Sequence, residues 1–377
     1  MKIVVFSRYP SDSRGPRGGI ESVTVVLVKA LANLEGLDVH VVTLEPNRTT
    51  VVVEQDKNFT IHRLPGSRWP QILDIHAGPG RKKLLKYIME LRPDVLHTHE
   101  TYGLGLGDVS ILHVFTVHGF DHANIVADSA KHAWIRSVLW KYVEKRGLSK
   151  QKHIISISPY VKKMIEPLTN ATIYDIDNPV DERFFNISRR NENGRILFSG
   201  WISERKNTLG SVEAFAQIAS RFKQATLVIA GHAKELHYFQ RVKQSIKDYG
   251  IGERVEILGY INHEDLEEEL AKASIFLLPS RQENAPMAIS EAMAAGVPVI
   301  TSNRCGMPYM VEDKKTGFLI APESIEQIAD RLTALLEDKQ LCQKMGQAGR
   351  ETAMKRFHPK AVAEKTLTVY KQISNNL

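Results

Sequence analysis

Only two cysteines, Cys305 and Cys342, occur in 377 residues. No disulfide framework therefore holds the chain, and a reducing compartment suits it. Long apolar runs are missing too: none approaches the roughly 18 residues that a membrane span needs. The apolar part of the first ten residues is too short for a secretory leader and reads as a first strand. A cytoplasmic protein is expected. The charge excess is small, with 50 Lys+Arg against 43 Asp+Glu. No RNA-binding or zinc-finger signature accompanies it, so nucleic acid is not an expected partner. Low-complexity segments and short repeats are also absent.

What the chain has is length and apolar content, 43% hydrophobic with 25% charged. That is enough for two soluble domains with buried cores. Strand and helix patterns alternate, which predicts βαβ units and parallel sheets. Residues 2–6 read as a strand, 22–34 as a helix and 39–43 as the next strand. The loop before that helix carries Arg8, Arg14 and Arg17 and ends in Gly18 and Gly19. Glycines there let phosphates approach the backbone; an ordinary tight turn is the other reading. Residues 93–97 read as a buried strand, followed by Thr98, His99 and Glu100. His97 and His99 are read as facing opposite sides of the strand, which argues against a shared metal ion. Gly103, Gly105 and Gly107 lack dinucleotide spacing and read as a mobile loop. The strand 114–117 ends at His118, where open α/β sheets bind ligands; a packed histidine is the alternative.

Residues 131–152 carry Lys131, Arg136, Lys141, Lys145, Arg146, Lys150 and Lys152 against one acid, Glu144. Trp134, Val138, Leu139, Trp140 and Tyr142 are interspersed. Two readings stay open: peripheral contact with an anionic membrane, and a sheet-covering helix with a solvated basic face.

Residues 274–303 hold the densest signal. An apolar strand meets Pro279 and Ser280, and Pro286 suits the first turn of a helix. That helix is expected to run through Ala288, Glu291, Ala292 and Ala295 and to stop at Gly296. Glu283 lies in the loop before it. The amides of Met287 and Ala288 and the helix dipole favour an anion, phosphate above all. A carboxylate beside a phosphate site accepts hydroxyl hydrogen bonds, and a nucleotide sugar offers both groups.

The spacing Glu283-x7-Glu291, followed by Ala-Met-Ala-Ala-Gly-Val-Pro-Val-Ile, resembles the retaining glycosyltransferases of family 4. The resemblance implies the GT-B fold: α/β, two facing Rossmann-like domains with a deep interdomain cleft. It places an acceptor-side domain at 1–180 and a nucleotide-sugar domain at 190–357, with a last helix at 359–377 crossing back to the first. Glu283 would lie by the donor sugar and Glu291 would bind ribose. Asn284-Ala285-Pro286 departs from the usual Gly-Phe-Gly or Gly-Phe-Pro. Gly-Gly-Ile-Glu at 18–21, the His97/His99 string, His118 by the sugar and its phosphates, and Gly306-Met307-Pro308 all match the family. Gly200 to Asn207 resembles its G-R-x-x-x-x-K-G loop, with Lys206 as the diphosphate lysine. Trp201 replaces the family arginine, and Arg205 is the candidate substitute. Fixed cations there stabilise a leaving diphosphate, so neither a metal nor another cofactor is required. Tyr260 follows a strand whose loop frames the nucleobase in the family; base stacking and a partly buried packing role are both open. Asp175-Ile176-Asp177 spells the metal-binding D-x-D of another glycosyltransferase fold and is read as coincidence. The implied reaction moves a hexose, glucose first, from a UDP-sugar to a glycan or lipid-linked acceptor. A sugar-nucleotide epimerase and a non-enzymatic anion- or membrane-binding protein are the alternatives.

Overall fold

The computed structural model describes residues 1–11, 18–66, 75–76, 78–127 and 133–375. Arg14, Arg17 and Lys131, singled out above, lie outside them. The chain divides into two units. The described residues of Met1–His122, Trp134–Pro179 and Pro359–Leu377 form one, and those of Ala123–Ala133 and Val180–His358 the other.

The first unit is built on eight strands: β1 Lys2–Phe6, β2 Asp38–Glu45, β3 Val52–Asp56, β4 Phe59–Pro65, β5 Val95–His99, β6 His113–Val117, β7 His153–Ser156 and β8 Thr172–Asp175. They lie in the order β3-β4-β2-β1-β5-β6-β7-β8. All neighbours are parallel except the hairpin β3–β4. β1 shows why its sequence is a continuous apolar run. Ile3 and Val5 enter one core with Leu27, Leu31 and Tyr370, whereas Val4 and Phe6 enter another with Leu84 and Ile88. Helices cover both faces, so neither face needs polar residues. The helix Pro359–Ser374 contributes Val362, Ala363, Val369 and Tyr370 to the first of these cores.

The second unit has β9 Arg195–Ser199, β10 Thr226–Ala230, β11 Val255–Gly259, β12 Ile275–Leu278, β13 Val299–Ser302 and β14 Gly317–Ile320. Their order is β11-β10-β9-β12-β13-β14, and every pair is parallel. Both sheets reverse direction beside their first strand, between β1 and β5 and between β9 and β12. Such switch points open a crevice at the carboxyl ends of the strands.

Gly103, Gly105 and Gly107 correct the mobile-loop expectation. Residues Thr101–Leu106 form a 3-10 turn. A Cβ on Gly103 would lie 2.3 Å from Thr98 Oγ1, so the glycine is needed for close packing. Asp175 of the D-x-D string pairs with Lys162 at 2.7 Å.

Candidate active site

In the second unit the switch point explains which loops meet. β9 and β12 are neighbours, so the loop after Ser199 and the loop after Leu278 leave the sheet side by side. The Arg281 amide donates to the Arg205 carbonyl at 2.8 Å and ties them together. Gly200 has φ +149°, in the region that favours glycine. A Cβ there would sit 3.4 Å from Lys206 Cε, so Lys206 runs closely over this glycine. Its Nζ lies 2.6 Å from Glu283 Oε1, and Arg205 Nη1 reaches the same oxygen at 2.6 Å. All three side chains are largely buried. The Glu283 carbonyl accepts from the Gly306 amide at 2.8 Å. A Cβ on Gly306 would lie 1.7 Å from the Asn284 carbonyl oxygen. Glycine at 306 thus lets the carboxylate loop seat, a reason the motif reading did not supply.

Pro286 is the residue that caps the next helix, not part of its first turn as expected. Its ψ of 122° is extended, and the helix runs Met287–Ala294. Ala295 is its C-cap rather than a helical residue, and Gly296 follows at φ +72°. Pro286 supplies no side-chain cap. Met287 and Ala288 therefore begin a helix at the edge of the Glu283 loop, with amides in the orientation that receives anions. Glu291 is buried. Desolvation, helped by the charge of Asp181, pushes its carboxyl up to about 7. It holds a proton through much of the neutral range and can then donate as well as accept.

Trp201, His232 and Tyr260 follow β9, β10 and β11. Tyr260 stacks on His232, centroids 5.3 Å apart and planes 16° apart, and the Trp201 ring lies 6.1 Å from that of His232. Trp201 and Tyr260 are about half exposed. Tyr260 thus lies half exposed at the strand ends, packed on His232. Trp201 takes no part in the cation pair; Arg205 does.

The first unit holds His118, Gly18 and Gly19. His118 Nε2 lies 2.8 Å from His99 Nδ1, and burial pulls the His118 imidazole down to about 4. It is neutral near pH 7, a hydrogen-bonding group rather than a cation. His97 and His99 correct the opposite-face expectation. Both belong to β5, and residues two apart share a face; their ring centroids are 4.3 Å apart. His97 is engaged by Tyr370 Oη at 2.6 Å and Thr116 Oγ1 at 2.7 Å. Among the described residues no group of His, Cys, Asp or Glu is arranged to hold a metal ion. Gly18 precedes the helix Gly19–Ala32 in an extended conformation, and a Cβ there would meet nothing within 4 Å. The fold itself does not demand glycine at 18.

Glu100, quoted in the sequence but given no role, stands out in three dimensions. It follows β5 at the first unit's switch point, with φ +64° and ψ −178°, a costly geometry for a non-glycine residue. Its Oε2 pairs with Arg8 Nε at 3.0 Å, whereas its buried Oε1 has no hydrogen-bond partner among the described residues. Burial pushes it up to about 7. Each sheet thus carries a cation–carboxylate pair at its reversal: Arg8–Glu100 in one, Lys206–Glu283 in the other.

Two family models match the chain. "Glyco_transf_4, Glycosyltransferase Family 4" covers residues 17–184, and "Glycosyl transferases group 1" covers residues 180–352. A GDP-mannose-dependent alpha-(1-6)-phosphatidylinositol monomannoside mannosyltransferase of Mycobacterium tuberculosis is 34% identical over 154 residues, 39% of each chain. The chain spans 62% of the length of another curated relative, a Bacillus subtilis glycosyltransferase. Among solved structures, sucrose-phosphate synthase from Thermosynechococcus elongatus covers 100% of both chains, with a TM-score of 0.80 and 22% identity. Anabaena HepE in complex with UDP covers 99% of this chain and 100% of its own, with a TM-score of 0.73 and 18% identity. These likenesses establish the GT-B fold.

Proposed function

Because the chain belongs to the family 4 glycosyltransferases, we propose that it transfers a hexose, glucose first, from a UDP-sugar to an acceptor hydroxyl with retention at the anomeric carbon. The product is a bacterial-type polysaccharide or glycolipid, and the acceptor a glycan or a lipid-linked glycan. The observation that carries this reading is the convergence of Lys206 and Arg205 on Glu283 at the second unit's switch point.

A departing diphosphate gains negative charge as the glycosidic bond breaks. Lys206 and Arg205 supply fixed positive charge for it, joined by the amides of Met287 and Ala288. A bond of this kind, made only in the transition state, is worth roughly 1.5–3 kcal/mol, or one to two powers of ten in rate. With that stabilisation the step needs no metal. Glu291 is assigned to the ribose hydroxyls, Tyr260 to the base, and the neutral His118 to a hydroxyl of the transferred sugar. Gly18, Gly19 and Gly200 give ligand phosphates access to backbone. The acceptor proton passes to the leaving phosphate on the same face, so no enzyme carboxylate is glycosylated. UDP in HepE supports the uridine donor; the GDP-mannose dependence of the mycobacterial relative is the competing precedent. Two free thiols, Cys305 and Cys342, fit a reducing cytoplasm.

Thermal shift with UDP-glucose, UDP-N-acetylglucosamine, GDP-mannose and ADP-glucose tests the donor, because a ligand that binds only the folded state raises the melting temperature. UDP-glucose is expected to stabilise most and to be hydrolysed slowly to UDP and glucose. Conversion to an epimeric UDP-sugar would make the protein an epimerase. Absence of both stabilisation and turnover with all four would refute a sugar-nucleotide enzyme of this kind.

A further inference from the structure

The helix Ala133–Leu148 is turned inside out relative to an ordinary surface helix. At about 100° per residue, Trp134, Val138 and Tyr142 fall in one row, with Ile135 and Leu139 beside it. These five are exposed by 72%, 62%, 63%, 43% and 61%. The opposite face holds Ser137, Glu144, Gly147 and Leu148. Glu144 is buried, bonded by the His122 ring and, at 3.3 Å, by the His122 amide. Ser137 Oγ donates to the His122 carbonyl at 3.0 Å. A Cβ on Gly147 would lie 2.6 Å from Leu104 Cβ, so this face is packed tightly. The polar anchor points in, and the apolar stripe is fixed pointing out.

Helix energetics normally run the other way, burying the apolar stripe. A contiguous outward row of this kind marks a binding surface. Its surroundings select the partner. Arg136 and Lys141 flank the row, Lys145 and Arg146 follow its end, and all four are exposed. The helix's single acid is the buried Glu144, so the outward side carries no opposing charge from its own residues. Trp and Tyr prefer the boundary between water and hydrocarbon, and lysine and arginine meet phosphate headgroups there. Among the described residues no helix is long and apolar enough to cross a membrane, so the contact would be in the plane of the surface.

We propose that Trp134, Ile135, Val138, Leu139 and Tyr142, rimmed by Arg136, Lys141, Lys145 and Arg146, form a docking face for an anionic lipid bilayer. The apolar row enters the headgroup region and the basic rim pairs with lipid phosphates. This surface is independent of the donor chemistry.

The test is co-sedimentation of the full chain with phosphatidylcholine vesicles and with equal mixtures of phosphatidylcholine and phosphatidylglycerol. Binding to the anionic vesicles is expected to be at least about tenfold stronger and to weaken with added salt. Trp134→Ser/Leu139→Ser and Lys141→Glu/Lys145→Glu are each expected to lower it about tenfold or more. Both variants change exposed residues, so their melting temperatures and their response to UDP should match wild type. Wild type that ignores anionic vesicles, or variants that bind like wild type, would overturn the proposal. A concentration-dependent dimer abolished by Trp134→Ser/Leu139→Ser, without vesicle binding, would overturn it in favour of a second copy.

Discussion

Lys206 Nζ and Glu283 Oε1 stand 2.6 Å apart, and Arg205 shares the same oxygen. The proposed diphosphate site therefore already contains a carboxylate belonging to the chain. A diphosphate that enters has to compete with this carboxylate or share the two cations with it.

Removing the charge while keeping the shape separates these roles. Glu283→Gln is expected to bind UDP at least as tightly as wild type, because the cations are released. Transfer is expected to fall about 10²–10³-fold, the usual cost of losing one preorganised polar group. Leaving two largely buried cations without their carboxylate should also lower stability by about 1–3 kcal/mol. Titration calorimetry with UDP, a rate assay and a melt on the same variant check all three. Weaker UDP binding with normal turnover would contradict the competition.

Gly306 fixes the carboxylate loop from below. With only 1.7 Å between an added Cβ and the Asn284 oxygen, Gly306→Ala must push the Glu283 loop away. A stability loss of about 1–3 kcal/mol or more is expected, together with weaker UDP binding. Urea melts and titration of the variant report both. A variant as stable as wild type would mean that the loop yields freely.

Glu291 gives a pH prediction. Its folded-state value of about 7 lies above the ordinary 4.5. The folded chain thus holds more protons than the unfolded chain between those values, and stability falls as pH rises from about 4.5 to about 7. Below 4.5 the benefit of the protonated form is fully present; above about 7 it is gone. Glu100, also raised by burial, acts with the same sign, so the comparison is between wild type and Glu291→Gln. At pH 8 the variant is expected to be about 1–3 kcal/mol more stable, with a flatter stability profile between pH 5 and 7. Parallel profiles for the two proteins would mean that Glu291 titrates normally.

Much of the second unit was legible because its signals are local. A strand, a proline, a helix and a closing glycine follow one another within thirty residues, and parallel strand order brings Lys206 to Glu283. The errors had equally physical causes. Period-two alternation puts His97 and His99 on one face, and the opposite-face reading miscounted it. The glycines at 103, 105 and 107 looked like flexibility because sequence does not show the Thr98 and Phe115 side chains packed against Gly103. Glu100 went unassigned because its backbone strain and orphaned oxygen exist only in three dimensions. The helix Ala133–Leu148 has the same 3.6-residue periodicity whether its apolar row points in or out. Only the burial of Glu144 against His122 settles the direction.

The central claim is that Lys206 belongs to a diphosphate site. The affinity of Lys206→Ala for UDP-glucose tests it most directly, since Arg205 still pairs with Glu283 and the fold should persist. The account predicts binding at least about tenfold weaker than wild type in a variant that still unfolds cooperatively. Binding within twofold of wild type would contradict it.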